Sequence, residues 1–244
     1  MSLVYIFAAS PMEGEPVRKI AGERHSSPMR CGANDFVLIF SGMGPVNARS
    51  KAEVALGLKT EPSRTSKPDA VLVIGLCGGL IESLSEGRVV AYTACKSTES
   101  AKQVLACSQN IVDSFITLLT SSGMVCDRAL GITSSRIATN REERLALAES
   151  GAAVVDMESY SILEAAARAG VPAAVLRVVS DSLDRVLPNF NRALKDAGDL
   201  DGRKALRVAL GSPVRTLKLL AANKRAMQGL TKALEIVLKA PCFT

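Results

Sequence analysis

Short apolar runs alternate with segments of helical periodicity along most of this chain. Leu3 to Ala9 is apolar and ends in Ser10-Pro11, which predicts a buried strand, and Gly14 to Ala21 then starts a helix. Phe36 to Phe40 predicts a second strand, broken by Gly42 and Gly44, and Pro45 to Leu58 has helical periodicity. Ala70 to Gly75 reads as a third strand running into a glycine loop, Gly75-Leu76-Cys77-Gly78-Gly79. Further strands are expected at Arg88 to Thr93, Ala129 to Thr133, Ala152 to Val155 and Ala173 to Val179. Helices are expected around Ile111 to Leu119, Arg141 to Glu149 and Met157 to Ala169. Strands apolar on both faces, alternating with helices, point to an α/β fold with a largely parallel sheet. Beyond Leu206 the pattern is helical only. No linker, low-complexity stretch or internal repeat divides the chain, so residues 1–244 are expected to form a single domain.

Composition narrows the picture. With 48% hydrophobic residues in 244, the chain can bury a substantial core and is globular. The longest uncharged apolar stretch, Ala70 to Ile81, is too short to span a bilayer, and no basic segment precedes an apolar run at the start, so no signal peptide is expected. The six cysteines lie 12 or more residues apart, which offers neither a zinc knuckle nor a redox pair and suits reduced thiols in a cytoplasm. The lone histidine, His25, makes a histidine triad or a His-rich metal site improbable, so no metal or cofactor is expected and acid–base work falls mainly to carboxylates. From Arg203 to Lys239, nine Lys/Arg stand against one acid, Glu235, which leaves the rest of the chain at −2 of the net +6. The basicity therefore belongs to a helical C-terminal extension, 203–239. Nucleic acid is a weak partner, because aromatics are only 4% and no nucleic-acid motif appears.

In open α/β sheets, ligands sit in the crevice beyond the carboxyl ends of the strands. After the predicted strands come Met12-Glu13-Gly14-Glu15, Ser41-Gly42-Met43-Gly44, the Gly75–Gly79 run, Asp156-Met157-Glu158 and Ser180-Asp181. Carboxylates and glycine loops would thus converge on one crevice. Each segment also has a plain structural use. Asp156 and Glu158 suit the first turn of a helix, Ser180-Asp181 can cap the next segment of chain, and Cys77 suits packing better than nucleophilic attack.

From Leu3 to Asp184 these segments resemble the nucleoside phosphorylase and nucleosidase family that includes methylthioadenosine/adenosylhomocysteine nucleosidase. The specific pieces are Val155-Asp156-Met157-Glu158, Arg177-Val178-Val179-Ser180-Asp181, Pro68-Asp69 ahead of the glycine run through Leu80, and Pro11-Met12-Glu13-Gly14-Glu15. The resemblance implies a three-layer phosphorylase/hydrolase-like fold, with a mostly parallel, mixed sheet flanked by helices. It also implies cleavage of the N-glycosidic bond of a purine, adenine-type nucleoside, with water or phosphate as acceptor. It casts Glu158 as acceptor of the ribose hydroxyls, Met157 as packing on the sugar, Asp181 as the general acid toward N7, and Glu15 as the base that positions water. Cys77 and Gly78 of the glycine run, Ile137, which with Ala138 can sandwich a purine, and Phe190 complete the substrate-binding set. Asp156 is read as a cap. A carboxylate suits a cis-diol because it offers two acceptor oxygens, and it favours a sugar that becomes cationic as the base leaves.

The acceptor decides the reaction type. A phosphorylase needs arginines where phosphate binds, and no arginine precedes Arg18. Arg18, Arg30, Arg49 and Arg136 are conceivable phosphate ligands, but none lies in a recognised motif. Relatives carry Ser or Thr at the position of Leu76, and leucine cannot hold phosphate, so hydrolysis is favoured over phosphorolysis. A non-catalytic nucleoside-binding protein is the other alternative, although such a protein would need neither the acid nor the water base. The aromatic that stacks on the base in methylthioadenosine nucleosidases has no counterpart in Thr133 to Asn140.

The tail is similar to those of hopanoid-associated nucleoside phosphorylase-like proteins, through Leu187-Pro188-Asn189-Phe190, Asp201-Gly202-Arg203 and the basic helices. Leu206, Leu210, Val214, Leu217 and Leu220 can share a helix face among Arg207, Arg215, Lys218 and Lys224, which suits peripheral contact with an anionic membrane. The alternative is that these leucines pack on the core or on a partner subunit. A homodimer or higher homo-oligomer is implied by analogy.

Overall fold

The computed structural model describes residues 2–22, 28–59, 66–100, 103–195 and 198–243. His25 falls outside them. Strand β1 (Leu3–Ala8) leads into helix α1 (Pro11–Ile20), then β2 (Met29–Cys31), β3 (Asn34–Phe40), α2 (Pro45–Ala55) and β4 (Ala70–Gly79). Next come β5 (Val89–Ser97), β6 (Leu105–Ala106), α3 (Gln109–Ser121), β7 (Cys126–Thr133), α4 (Arg141–Ala148), β8 (Val154–Asp156), α5 (Ser159–Arg168) and β9 (Ala173–Asp181). A 3-10 turn over Phe190–Ala193 precedes α6 (Gly202–Gly211) and α7 (Pro213–Val237).

The strands form one mixed sheet in the order β2-β3-β1-β4-β8-β7-β5-β6, with β9 pairing both β4 and β5. β1 is parallel to β3 and β4, and β4 is parallel to β9. Because β9 also pairs with β5, β5 with β7, β7 with β8, and β8 with β4, these five strands close into a ring. Every residue of β9 is buried, as expected of a strand with neighbours on both edges and helices over it. The ring brings the carboxyl ends of β4, β8 and β9 together, since Gly78 pairs with both Val155 and Asp181.

Three expectations need correction. The Gly75–Gly79 run is strand and not loop: β4 continues through it, with Gly75 opposite Arg177 and Gly79 opposite Val154. Helix α1 starts at Pro11, three residues before Gly14, because the Ser10 hydroxyl accepts from the Glu13 amide and Pro11 is preset for the first helical position. Helix α5 starts at Ser159, two residues after Met157. The short edge strands β2 and β6 lack the length that makes a strand visible in sequence.

The basic tail is divided in its surroundings. Ala226, Leu230, Ala233, Leu234 and Val237 of α7 are fully buried in the core. Leu206, Leu210, Val214, Leu217 and Leu220 are 58–70% exposed. These five leucine and valine side chains therefore do not pack on this chain's own core.

Candidate active site

The buried arginine of β9 organises one end of the site. Arg177 is 1% exposed and carries a charge into a strand otherwise built of Ala, Val and Leu up to Ser180. A buried guanidinium is tolerable only with partners on its donors. Its Nη1 donates to the Leu76 carbonyl at 3.0 Å, and its Nη2 donates to Glu158 Oε2 at 3.2 Å and Ser159 Oγ at 3.1 Å. Asp156 Oδ2 lies 3.5 Å from its Nε.

Asp156 does two jobs in this arrangement. Its Oδ1 accepts from the amides of Glu158 and Ser159, each at 3.0 Å, and from the Thr133 hydroxyl at 2.7 Å. It therefore caps the start of α5, as its position before a helix suggests. Burial alone would raise its pKa, yet Arg177 and the bonds from Ser159 and Thr133 hold it below the usual carboxylate range.

Glu158 faces the other way. Its Oε1 accepts from the Gly44 amide at 3.0 Å, so the Gly42–Gly44 turn meets the end of β8 through this carboxylate. Burial pushes the Glu158 carboxyl up to about 7, Arg177 opposes the rise, and the neighbouring Asp156 and Glu13 add to it.

Glu13, and not Glu15, occupies the site. Its Oε1 accepts from the Leu76 amide at 2.9 Å and its Oε2 from the Ala9 amide at 3.0 Å. Burial raises its pKa, while Arg177 and these amides work against the rise. Gly75 adopts φ +143, and a Cβ there would stand 2.5 Å from Glu13 Oε1 and 2.8 Å from Arg177 Nη1. Glycine is what lets the strand pass beneath both groups. Glu15 sits two residues further round α1, on the outer face, where its half-exposed side chain pairs with Lys19 at 3.6 Å. With the helix starting at Pro11, residues 13 and 15 lie about 200° apart around the axis, so only one can face the sheet.

At the end of β9, Asp181 is buried and paired with Arg144, while its Oδ1 accepts from the Ser180 hydroxyl at 2.5 Å. Gly78 gives it room: a Cβ there would stand 2.9 Å from Asp181 Oδ2. Cys77 is buried, and burial drives its thiol far above the ordinary range, so it is an un-ionised packing group and not a nucleophile.

These groups share a cavity of about 340 Å³. Asp181, Glu158, Met157, Cys77, Gly78, Ile137 and Phe190 all line it, and so do Glu13 and Arg177; Glu15 is not among its lining residues. Leu219 and Asn223 of α7 complete one wall, so the tail helix shapes the site directly. Of the four arginines weighed for phosphate, Arg136 lines the cavity. Arg18 stacks on the Phe40 ring at 5.1 Å, Arg30 pairs with Asp35 at 3.0 Å, and Arg49 pairs with Glu164 at 3.3 Å.

Glu13 had a sequence signal, the Ser-x-x-Glu spacing of Ser10 and Glu13 that marks a helix start. Arg177 had one too, a charge inside an apolar run. Arg144 had none, because Arg141-Glu142-Glu143-Arg144 reads as a solvated helix face.

Residues 6–207 match the family model of the phosphorylase superfamily. A comparison with curated proteins returned no match. Among solved structures, the chain is similar to 5′-methylthioadenosine/S-adenosylhomocysteine nucleosidase from Neisseria meningitidis in complex with methylthio-immucillin-A. The TM-score is 0.74 at 18% identity, over 98% of this chain and 99% of that one. It is similar to S-adenosylhomocysteine nucleosidase from Streptococcus pyogenes in complex with 5-methylthiotubericidin, with TM-score 0.68 at 18% identity over 96% of each chain. It is also similar to futalosine hydrolase of Helicobacter pylori strain 26695, with TM-score 0.69 at 14% identity over 96% of each chain. At these identities the likeness is one of fold.

Proposed function

As this chain belongs to the phosphorylase superfamily, we propose that it is a nucleosidase, cleaving the N-glycosidic bond of an adenine-type nucleoside with water as acceptor. The observation that carries this reading is the meeting of Glu13, Glu158 and Asp181 in one cavity, from three separate elements. Glu158 accepts hydrogen bonds from the ribose cis-diol, and Met157 packs against the sugar. Asp181 gives its proton to N7, so the purine leaves neutral and not as a poor anionic leaving group. Glu13 takes the water role assigned to Glu15 by sequence, holding the nucleophile and accepting its proton. Ile137, Ala138 and Phe190 bracket the base through apolar contact.

Electrostatics favour this order of events. Glu13, Asp156 and Glu158 surround one guanidinium, leaving an excess of negative charge where the sugar sits. A developing ribosyl cation relieves that excess, so the transition state is held more tightly than the ground state. The same excess opposes phosphate: of the arginines lining the cavity, Arg177 and Arg144 are already paired with Glu158 and Asp181, which leaves Arg136 as a thin counterweight.

The test is a panel of nucleosides assayed with and without phosphate. Free adenine with ribose as co-product is expected; ribose 1-phosphate would make the enzyme a phosphorylase, and no adenine at all would leave a binding protein. Within the same panel, Glu158→Gln should lower turnover of ribonucleosides by about tenfold or more, since a charge-assisted bond contributes about 1.5–3 kcal/mol. The loss on 2′,3′-dideoxy analogues should be much smaller. Equal losses on both would return Glu158 to a purely structural role.

The exposed leucines of α6 and α7 suit an anionic membrane surface, and among the described residues no helix is long and apolar enough to cross one. Weak co-sedimentation with anionic vesicles is expected, falling with salt because each cation contributes only about 1 kcal/mol near the surface. Replacing Arg207, Arg215, Lys218 and Lys224 with glutamine should abolish it and leave soluble-nucleoside cleavage intact. If instead the parent binds no vesicles and Leu210 or Leu217 made polar changes the oligomeric state, the face belongs to a subunit interface.

A further inference from the structure

Helix α4 is exposed along most of its length, and Arg144 is its single buried residue, 1% exposed. Its guanidinium reaches away from the helix into the carboxyl ends of the strands. Nη1 donates to the carbonyls of Gly79 at 3.3 Å, Asp181 at 3.2 Å and Ser182 at 2.9 Å. Nη2 donates to the Ala138 carbonyl at 3.2 Å and to Asp181 Oδ2. The carbonyls satisfy donors but carry no charge. Among the described residues, the one anion paired with this buried cation is Asp181.

The two oxygens of Asp181 are therefore unlike. Oδ2 is committed to Arg144. Oδ1 lies 2.5 Å from Ser180 Oγ, and that oxygen is also 3.2 Å from the Cys77 carbonyl. A hydroxyl has one hydrogen to donate, and a carbonyl can only accept. When the Ser180 hydrogen turns to Cys77, the short contact to Oδ1 requires a proton on Oδ1. When Oδ1 is bare, the hydrogen turns back to it. Ser180 thus accommodates both protonation states of one oxygen, and Arg144 holds the other oxygen still.

We infer that Arg144 is a positioning residue that fixes Asp181 so that Oδ1 alone takes up and delivers the proton to the leaving base. The inference rests on the nucleosidase reading. In the step, the Oδ1–H bond breaks and N7–H forms, and the electron pair of the glycosidic C–N bond passes to the purine. Asp181 is left as a carboxylate against a cation already in place, so the conjugate base needs no reorganisation to be stabilised. Water bonds to the sugar carbon and its proton passes to Glu13, which balances the proton Asp181 has given up. Because Ala138 lines the cavity and is also held by Arg144, one side chain ties the base-facing loop to the acid.

The other groups facing Asp181 leave Arg144 as its counter-charge. Ser180 is neutral, Cys77 on β4 is held as a thiol by burial, and Val155 on β8 is apolar. Among the described residues, Arg144 is the one cation paired with it. Removing that cation has two consequences that a merely structural residue would not combine. The acid loses its fixed orientation, so kcat falls. It also keeps its proton to higher pH, so the alkaline limb of the rate profile moves up.

Adenine release is measured against pH for the parent, Arg144→Met and Arg144→Lys, with thermal melting followed in parallel. Arg144→Met is expected to lose about 10²-fold in kcat, the scale of a misplaced catalytic group. KM should change far less, and the alkaline limb should move up. Arg144→Lys keeps the charge but not the fan of contacts, so it should leave the limb in place and lose about tenfold, a smaller misplacement. A parent-like limb in Arg144→Met overturns the inference. If Arg144→Met fails to fold, parent-like kcat in Arg144→Lys overturns it. A parent that releases no adenine sinks the nucleosidase reading separately. Carboxyl-carbon NMR, assigned with Asp181→Asn, then decides on Arg144, because an Asp181 titration unmoved between the parent and Arg144→Met refutes the contact's role.

Discussion

Asp181→Asn is expected to lose about 10²–10⁴-fold in kcat, the usual worth of general acid catalysis, while a nucleoside still binds. The amide keeps the outline of the carboxyl and can still meet Ser180 and Arg144, but it cannot give up a proton. Binding should survive because Glu158, Met157 and the apolar walls are untouched. The substitution also leaves Arg144 without its counter-charge in a buried place, and a buried unpaired charge is costly. The variant should therefore melt below the parent, and the assays belong well below that melting point. Calorimetric binding of a nucleoside, beside adenine release at saturating substrate, separates the two effects. Near-parental turnover in a folded Asp181→Asn would remove Asp181 from the chemistry and take the role of Arg144 with it.

How far the sequence foretold this molecule depended on what each signal measures. The alternation of apolar strands with helices was legible because burial on both faces of a sheet leaves a run of Val, Ile and Leu that few other environments produce. The glycine run after Ile74 misled, since glycine more often marks a turn than a strand. Here it marks the passage of a strand beneath Glu13, Arg177 and Asp181, where a Cβ has no room. The site residues of β8 and β9 were readable through a motif whose spacing carries the chemistry. Arg144 was not, because its role depends on where α4 lies relative to β9, and a local stretch of sequence holds no trace of a partner 37 residues away. The tail was half legible. Its basic, leucine-bearing face was visible, but that the second half of α7 fills the core while Leu219 and Asn223 wall the cavity required the fold.

The position of Glu13 against Glu15 turns on a shift of three residues in where α1 begins, and it leads to the second large effect. Glu13→Gln should reduce hydrolysis by about 10²-fold or more, because the amide cannot accept the proton of the attacking water. Its side chain is fixed by the Leu76 and Ala9 amides, at 2.9 and 3.0 Å, so a glutamine there must either turn its amide toward a donor or lose one bond. Glu15→Gln should change turnover by less than about twofold, since its exposed pair with Lys19 is of a kind that contributes at most about 1 kcal/mol to stability. The two variants also differ in their pH profiles. The base must be ionised to act, so activity is lost as pH falls through the Glu13 pKa. Burial raises that pKa, so the acid limb lies above the range of an ordinary glutamate. In Glu13→Gln the limb should lose the contribution of Glu13 and keep that of Glu158, whose carboxyl is pushed up to about 7, and in Glu15→Gln it should stay unmoved. The opposite result would return the water to Glu15 and require α1 to turn its other face to the sheet. Adding phosphate to Glu13→Gln gives the sharpest reading of the acceptor, because removing a carboxylate relieves its repulsion of an anion. For a hydrolase, phosphate should leave the residual rate unchanged and produce no ribose 1-phosphate. A rate that climbs with phosphate in this variant would mean that the cavity is built for phosphorolysis and that Glu13 merely excludes the anion.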